Sequence, residues 1–310
     1  MISYIRAFAY YILVLIYGFI YNFIIECLSW FGINLGYDYY YYYFSHAFLL
    51  ILKVIGIRIH LIGKPIINFR AIWISNHRSH FDGFFTTMML VLHRNHVISI
   101  GRYVPLVGSL FNLSNFVFIK RNKQSAQNSL VNAAHRSITN DMSILIFPEG
   151  TAMTPANKQK SDEYATSHNQ PIFKNILLPR TTGYDSLVKN GIFRMVGNMT
   201  IIYPELPGHA KHHFADLFKM CPKDIYIHTS YDKASTDLIT LFNEKDNLIS
   251  NIDLENEEEY PLNYSEVALV INCLLLVGFG FACYYIPYFA LTTIIVNSVF
   301  FIKSALRWRR

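Results

Sequence analysis

Ser75-Asn76-His77-Arg78-Ser79-His80-Phe81-Asp82 is the stretch on which the reading of this chain turns. The apolar run Ala71-Ile72-Trp73-Ile74 leads into it, and a longer one, Gly83 to Leu92, leads out. The first is short and rich in β-branched and aromatic side chains, which predicts a buried strand. The second has the length of a helix. The polar segment then lies where a strand gives way to a helix, with Ser79 or Asp82 as N-cap. Active sites of α/β folds collect at such strand ends.

Within this segment the chemistry rests on His77 and Asp82. Five steps along one helix would put them on different faces, so they can meet only if His77 lies in the turn and Asp82 in the first helical turn. A carboxylate that accepts from one ring nitrogen fixes the tautomer and makes the other nitrogen more basic. Such an imidazole can take a proton from an alcohol. No nucleophile stands beside it in the sequence, so the alcohol is expected to be substrate. Two other readings stay open on these residues alone. Asn76, His77 and Ser79 can be turn and capping residues, or His77, His80 and Asp82 can be metal ligands, although no further His/Cys cluster completes a site.

Working outward, residues 58 to 250 alternate short apolar runs with mixed helices. The expected strands are Ile57 to Ile62, Ala71 to Ser75, Val97 to Ile100, Phe116 to Ile119, Ser143 to Phe147, Ile176 to Leu178, Met199 to Tyr203 and Ile225 to Thr229. The expected helices are Phe84 to Leu92, Val104 to Asn112, Asn122 to Thr139, Tyr184 to Asn190 and Ser235 to Asn247. Alternation of this kind predicts an α/β domain with a mostly parallel sheet flanked by helices.

The two ends differ from this middle. Apolar residues make up 52% of the 310 and charged ones only 15%, low for a soluble protein. The excess concentrates in residues 7–25, which carry no charge, and in 267–302, which run 36 positions without one, divided by Pro287. Each has the length and character of bilayer-crossing helix, and the N-terminal run lacks the small-residue site of a cleavable signal. Tyr37 and Tyr39 to Tyr43 form an aromatic belt. The segment from Phe44 to Ile57 reads either as an interfacial helix or as the first helix of the core.

The expected layout is therefore N-terminal membrane segment and interfacial helix over 1–57, an α/β domain over 58–250, and an acidic linker over 251–265. A C-terminal membrane hairpin or bent pair over 266–303 and a basic tail over 304–310 follow, the tail placing that end in the cytosol. Net charge is +6 with 12 histidines, but no Lys/Arg cluster suits nucleic acid, so lipid and phosphate partners fit better. Cys27, Cys221, Cys273 and Cys283 have no metal-ligand spacing. They predict free thiols and a catalytic domain facing a reducing compartment.

Three further segments join the His/Asp pair. Phe118-Ile119-Lys120-Arg121 is a strand ending in two cations, and Arg121 can bind phosphate through two parallel hydrogen bonds. Phe147-Pro148-Glu149-Gly150-Thr151 is a strand end followed by a tight polar turn, readable also as an ordinary turn with an exposed glutamate. Leu178-Pro179-Arg180-Thr181-Thr182-Gly183-Tyr184 is another strand-to-turn passage carrying a cation.

In this order the four blocks resemble those of the glycerolipid acyltransferase family, which includes the 1-acylglycerol-3-phosphate and lysophospholipid acyltransferases. His77-x4-Asp82, Phe118-Ile119-x-Arg121, Phe147 to Thr151 and Leu178-Pro179 match its four motifs over roughly residues 60 to 205. The run Pro179 to Tyr184, with a C-terminal hydrophobic pair, looks most like the eukaryotic lysocardiolipin-type branch. Ser114-Asn115 and Lys120 depart from the family pattern near the presumed head-group pocket, so they bear on the acceptor lipid more than on the reaction. The resemblance implies acyl transfer from acyl-CoA, a co-substrate, to the free hydroxyl of a lysophospholipid at a bilayer, with no metal and no cofactor. It implies His77 as general base and Asp82 as its orienting acid. Arg121 would bind the acceptor's phosphate, Glu149, Gly150 and Thr151 would position the glycerol backbone, and Pro179 and Arg180 would wall the site. In a eukaryote it implies the endoplasmic reticulum membrane.

Overall fold

A computed structural model describes residues 12, 16–18, 20–21, 23–24, 27–28, 30–33, 37–79, 82–101, 116–119, 123–188, 193–204, 223–286 and 288–298. His80, the expected helix Val104 to Asn112, Lys120, Arg121, Cys221 and the basic tail lie outside them, as does most of residues 7–25.

The middle of the chain forms a seven-stranded sheet. Its strands are β1 (Arg58–Gly63), β2 (Ile72–Ser75), β3 (Val97–Gly101), β4 (Val117–Phe118), β5 (Ser143–Ile146), β6 (Met195–Ile202) and β7 (Asp224–Lys233). Their spatial order is β1-β7-β6-β2-β5-β3-β4. All neighbours run parallel except β6 and β7, so β1 and β7 point opposite to the other five. The helices are α1 (Tyr37–Ile55), α2 (Asp82–Leu92), α3 (Lys123–Thr139), α4 (Pro155–Ser167), α5 (Thr181–Val188), α6 (Leu238–Asn251) and α7 (Glu266–Tyr285).

β2 shows why the sheet is covered on both faces. Its four residues are all buried, as expected of a central parallel strand. Alternation sends Trp73 into one layer with α1 and α2, and Ile72 and Ile74 into the other with α3, α5 and α6. The register sets Trp73 opposite Gly197 of β6, and the indole lies across that glycine. A Cβ there would come within 2.2 Å of the ring.

Two expectations need correcting. Ile176 to Leu178 belongs to no strand. Its amides are taken by side chains instead: Leu177 N–H donates to Glu149 at 3.3 Å and Leu178 N–H to Ser161 at 2.9 Å. Conversely, α4 falls in a stretch with no expected element. It is too polar to show an apolar stripe, and only Thr154 at its N-cap and Pro155 at its first position announce it.

Toward the ends, α1 buries Phe48, Leu49, Ile51 and Leu52 in the core, so this face of the Phe44–Ile57 segment is core helix. Among the described residues α7 alone is long and apolar enough to cross a membrane. Val270, Leu274, Val277 and Phe281 along it are more than half exposed. The helix beyond Pro287, Phe289–Ser298, is shorter. His46 ties α1 to the start of α7, its Nε2 accepting from Ser265 N–H at 2.8 Å. Deeper in α7, the Asn272 side-chain oxygen accepts from the Tyr21 hydroxyl at 2.7 Å. The acidic linker is mostly solvated, yet Glu259 bridges to Ile62 of β1 and its carboxylate hydrogen-bonds His60 at 2.8 Å.

The Trp73–Gly197 contact predicts a steep cost for the smallest added side chain. Gly197→Ala must displace a fully buried indole or push a pair of central strands apart, a cost of roughly 1–3 kcal/mol or more. A thermal melt of the purified variant should fall by several degrees; an unchanged melt would show that the indole moves freely.

Candidate active site

The turn after β2 is held from both sides. Asn76 is fully buried, and its side-chain amide pairs with the backbone of Ile201 on β6, donating to the carbonyl at 2.9 Å and accepting the N–H at 2.8 Å. The amide acts as one more rung of the β2–β6 ladder, just past its last backbone pair. On the other side, His77 N–H donates to Glu149 at 2.9 Å and Met153 N–H donates to the His77 carbonyl at 2.7 Å. The loop after β5 therefore grips the histidine's own peptide groups.

Asp82 begins α2 and is wholly buried. Its Oδ2 accepts Arg78 N–H at 2.6 Å and Ser79 N–H at 2.7 Å, so Asp82 reaches back to cap the turn. The same oxygen lies 3.1 Å from His77 Nδ1. Its Oδ1 accepts from the Tyr203 hydroxyl. With the carboxylate as acceptor and the imidazole neutral, Nδ1 is the donor of this contact and Nε2 keeps its lone pair. The His77 side chain keeps 20% of its exposure while Asp82 keeps none. Phe147 flanks the imidazole, ring centres 4.9 Å apart.

Glu149 is also buried, at 3% exposure, which rules out the exposed-glutamate reading. Its two oxygens face the N–H groups of His77 and Leu177, not the open side of the turn. Burial pushes its carboxyl up to about 8, against the pull of those two donors. Gly150 adopts φ +68°, and its N–H returns to the Phe147 carbonyl at 2.9 Å. Arg180 lies over it: a Cβ on Gly150 would sit 3.6 Å from the Arg180 Nε. Arg180 N–H donates to the Pro148 carbonyl at 2.9 Å, which sets the fourth block beside the third. Pro179 is buried and Arg180 exposed. Thr151 is half-buried, its hydroxyl accepting from the Asn157 amide at 3.1 Å.

The structure thus gathers His77, Asp82, Glu149, Gly150, Thr151, Pro179 and Arg180 around one sheet edge. Three contributors have no counterpart in the reading of the sequence: the Asn76 clamp, Tyr203 and Lys245. Lys245 is buried on α6, its ammonium donating to Asn198 at 2.6 Å, Thr200 at 3.0 Å and the Met199 carbonyl. Burial lowers it to about 7. Its signal was available, because it continues the apolar stripe Leu238, Leu241, Phe242 at helical spacing. Tyr203 had no signal, standing 121 residues from the carboxylate it serves.

An imidazole hydrogen-bonded to a buried carboxylate thus sits at the carboxyl ends of parallel strands, where α/β folds collect their active sites. Residues 58–205 match the family model described as Acyltransferase. Lysocardiolipin acyltransferase 1 of Danio rerio is 28% identical over 189 residues, 56% of this chain and 48% of that protein. A probable 1-acyl-sn-glycerol-3-phosphate acyltransferase 5 of Arabidopsis thaliana is 25% identical over 249 residues, 71% of this chain and 64% of that one. The chain thus spans about half to two thirds of the length of these relatives. The crystal structure of the 1-acyl-sn-glycerophosphate acyltransferase PlsC from Thermotoga maritima aligns with 79% of this chain and 95% of its own. Its TM-score is 0.36 and its identity 14%.

The two buried ionisable groups act oppositely on stability. Glu149 titrates in the fold near 8, above its ordinary 4.5, so its contribution is full below about 4.5 and is lost as pH rises through about 8. Lys245 titrates near 7, below its ordinary 10.5, so its penalty is full below about 7 and is relieved as pH rises toward 10.5. The difference in melting temperature between the wild type and a Glu149→Gln, Lys245→Met double variant should therefore be least favourable to the wild type between pH 7 and 8. A pH-independent difference would mean that neither group changes protonation on unfolding.

Proposed function

We propose that the chain is a membrane-bound O-acyltransferase that moves a fatty acyl group from acyl-CoA to the free hydroxyl of a lysophospholipid. The acceptor is lysophosphatidic acid and the product phosphatidic acid. The observation that carries the reading is the His77–Asp82 contact, with Nε2 left as the base on a half-buried ring. The names of the plant relatives support this acceptor, while those of the animal relatives favour a second one, lysocardiolipin.

In the reaction, Nε2 of His77 takes the proton of the acceptor hydroxyl as its oxygen attacks the thioester carbonyl. A C–O bond forms, the C–S bond breaks, and the proton goes to the departing coenzyme A thiolate. Asp82 orients the imidazole and stabilises its charged form. Arg121 binds the acceptor's phosphate, and the exposed Arg180 adds positive charge over Gly150 at the mouth. Gly150 and Thr151 position the glycerol. Glu149 supports them indirectly, by holding the His77 peptide group, since its carboxylate is occupied inward. The exposed apolar length of α7 holds the domain at the bilayer, with the site on the cytosolic side of the endoplasmic reticulum in a eukaryotic cell.

Membranes carrying the full chain, incubated with labelled acyl-CoA and a panel of lysophospholipids, test this reading. His77→Ala should lower transfer by roughly 10²–10⁴-fold with the protein still in the membrane; unchanged transfer would remove the mechanism. Arg121→Ala should raise the KM for the acceptor far more than that for acyl-CoA, and equal KM values for wild type and variant would remove the phosphate role.

A further inference from the structure

Asp82 is held through both oxygens, and among the described residues one of its hydrogen-bond partners comes from elsewhere in the chain. Oδ2 is served locally, by the amides of residues 78 and 79 and by the His77 ring. Oδ1 is served by Tyr203, one residue past the end of β6. Tyr203 is 2% exposed, and its hydroxyl also hydrogen-bonds the Ser79 side chain. Two residues earlier, Ile201 clamps Asn76. The end of β6 therefore grips the His77 turn at both ends.

The two oxygens of a carboxylate cannot be aimed independently. With Oδ1 fixed by the phenol, rotation about the Cβ–Cγ bond is blocked and Oδ2 stays in line with Nδ1. Without the phenol, Oδ1 is a buried acceptor short of a donor, and the group gains by turning toward whatever donor it can find. The imidazole then loses the partner that selects its tautomer.

We propose that Tyr203 is a positioning residue for the His77–Asp82 pair, holding the Asp82 carboxylate so that its Oδ2 faces His77 Nδ1. The inference rests on the reading of that pair as base and orienter. Tyr203 touches no reacting atom; it acts through Asp82.

Tyr203→Phe deletes one oxygen atom and keeps the buried ring. In full-chain enzyme, kcat should fall roughly 10–100-fold, the size seen when an outer-shell partner of a functional side chain is lost. The KM for acyl-CoA and for lysophospholipid should each stay within about twofold, as neither substrate meets the phenol. A second readout needs no turnover. Diethyl pyrocarbonate acylates a basic ring nitrogen, and cleavage at Arg70 and Arg78 releases residues 71–78, whose one histidine is His77. Labelling of that peptide, followed by mass spectrometry, should slow severalfold in Tyr203→Phe, as in Asp82→Asn. Unchanged kcat together with unchanged labelling would overturn the proposal. So would a loss of activity matched by raised KM values and a lowered melting temperature, which would mark Tyr203 as structural only. If the wild type transfers no acyl group to any acceptor, the functional reading fails while the labelling contrast still decides the role of Tyr203. Should the Phe variant fail to accumulate, Ser79→Ala, which removes the neighbour of the same phenol, is read by the same two measurements.

Discussion

A carboxylate without access to water persists only if donors take up its lone pairs. Asp82 sets that condition, and much of the neighbourhood follows from it. Two amides must point inward, which fixes the turn over residues 78 and 79. The helix must start at Asp82 itself, where a negative charge also suits the positive end of the helix dipole. His77 must present Nδ1 to the same oxygen. Once these demands are met, the imidazole is held through Nδ1 with 20% of its side chain still exposed.

Strand direction explains how distant segments reach this carboxylate. β6, β2 and β5 are neighbours and run parallel, so their carboxyl ends coincide at one edge. From β2 come Asn76, His77 and Asp82; from β5 come Glu149 and the carbonyl of Pro148; from β6 come Ile201 and Tyr203. β7 runs the other way, so its carboxyl end lies at the opposite edge. It serves the sheet with a long antiparallel ladder to β6. The reversal marks the lateral limit of the site.

The sequence made the strand-turn-helix passage at 71–92 legible because its polarity changes abruptly at both ends and a buried strand has few alternatives. It made the gathering of His77 and Glu149 legible because each follows an apolar run that becomes a parallel strand, whereas Arg180 reaches them from outside the sheet, through its N–H to the Pro148 carbonyl. What it did not reveal is the direction in which side chains point. Glu149 stands after a strand in a polar turn, as an exposed residue would, yet two amides draw it inward. The 176–178 run is apolar enough for a strand, but strand character also needs a free neighbouring edge, and its amides had already gone to Glu149 and Ser161. Tyr203 reads as one more aromatic at a strand end, since nothing local distinguishes a phenol that donates to a buried carboxylate from one that fills space.

The link between the apolar helix α7 and the His77 turn is mechanical. α2 carries Asp82 in its first turn, and Phe48 of α1 stacks flat on Phe84 of the same turn, ring centres 5.6 Å apart. α1 is in turn pinned to the start of α7 by His46 and Ser265, and the Asn272 side chain donates to the Tyr43 carbonyl at 3.2 Å. A buried asparagine on an otherwise apolar helix is stable only with its partners present, so α7 cannot rotate or slide against α1 without breaking those bonds. The chain of contacts from apolar helix to the His77 turn therefore has a fixed length. On the function proposed, the acceptor's hydroxyl lies at a depth set by its own acyl chain in the bilayer. A base held at fixed height above α7 meets that oxygen without the lipid leaving the membrane.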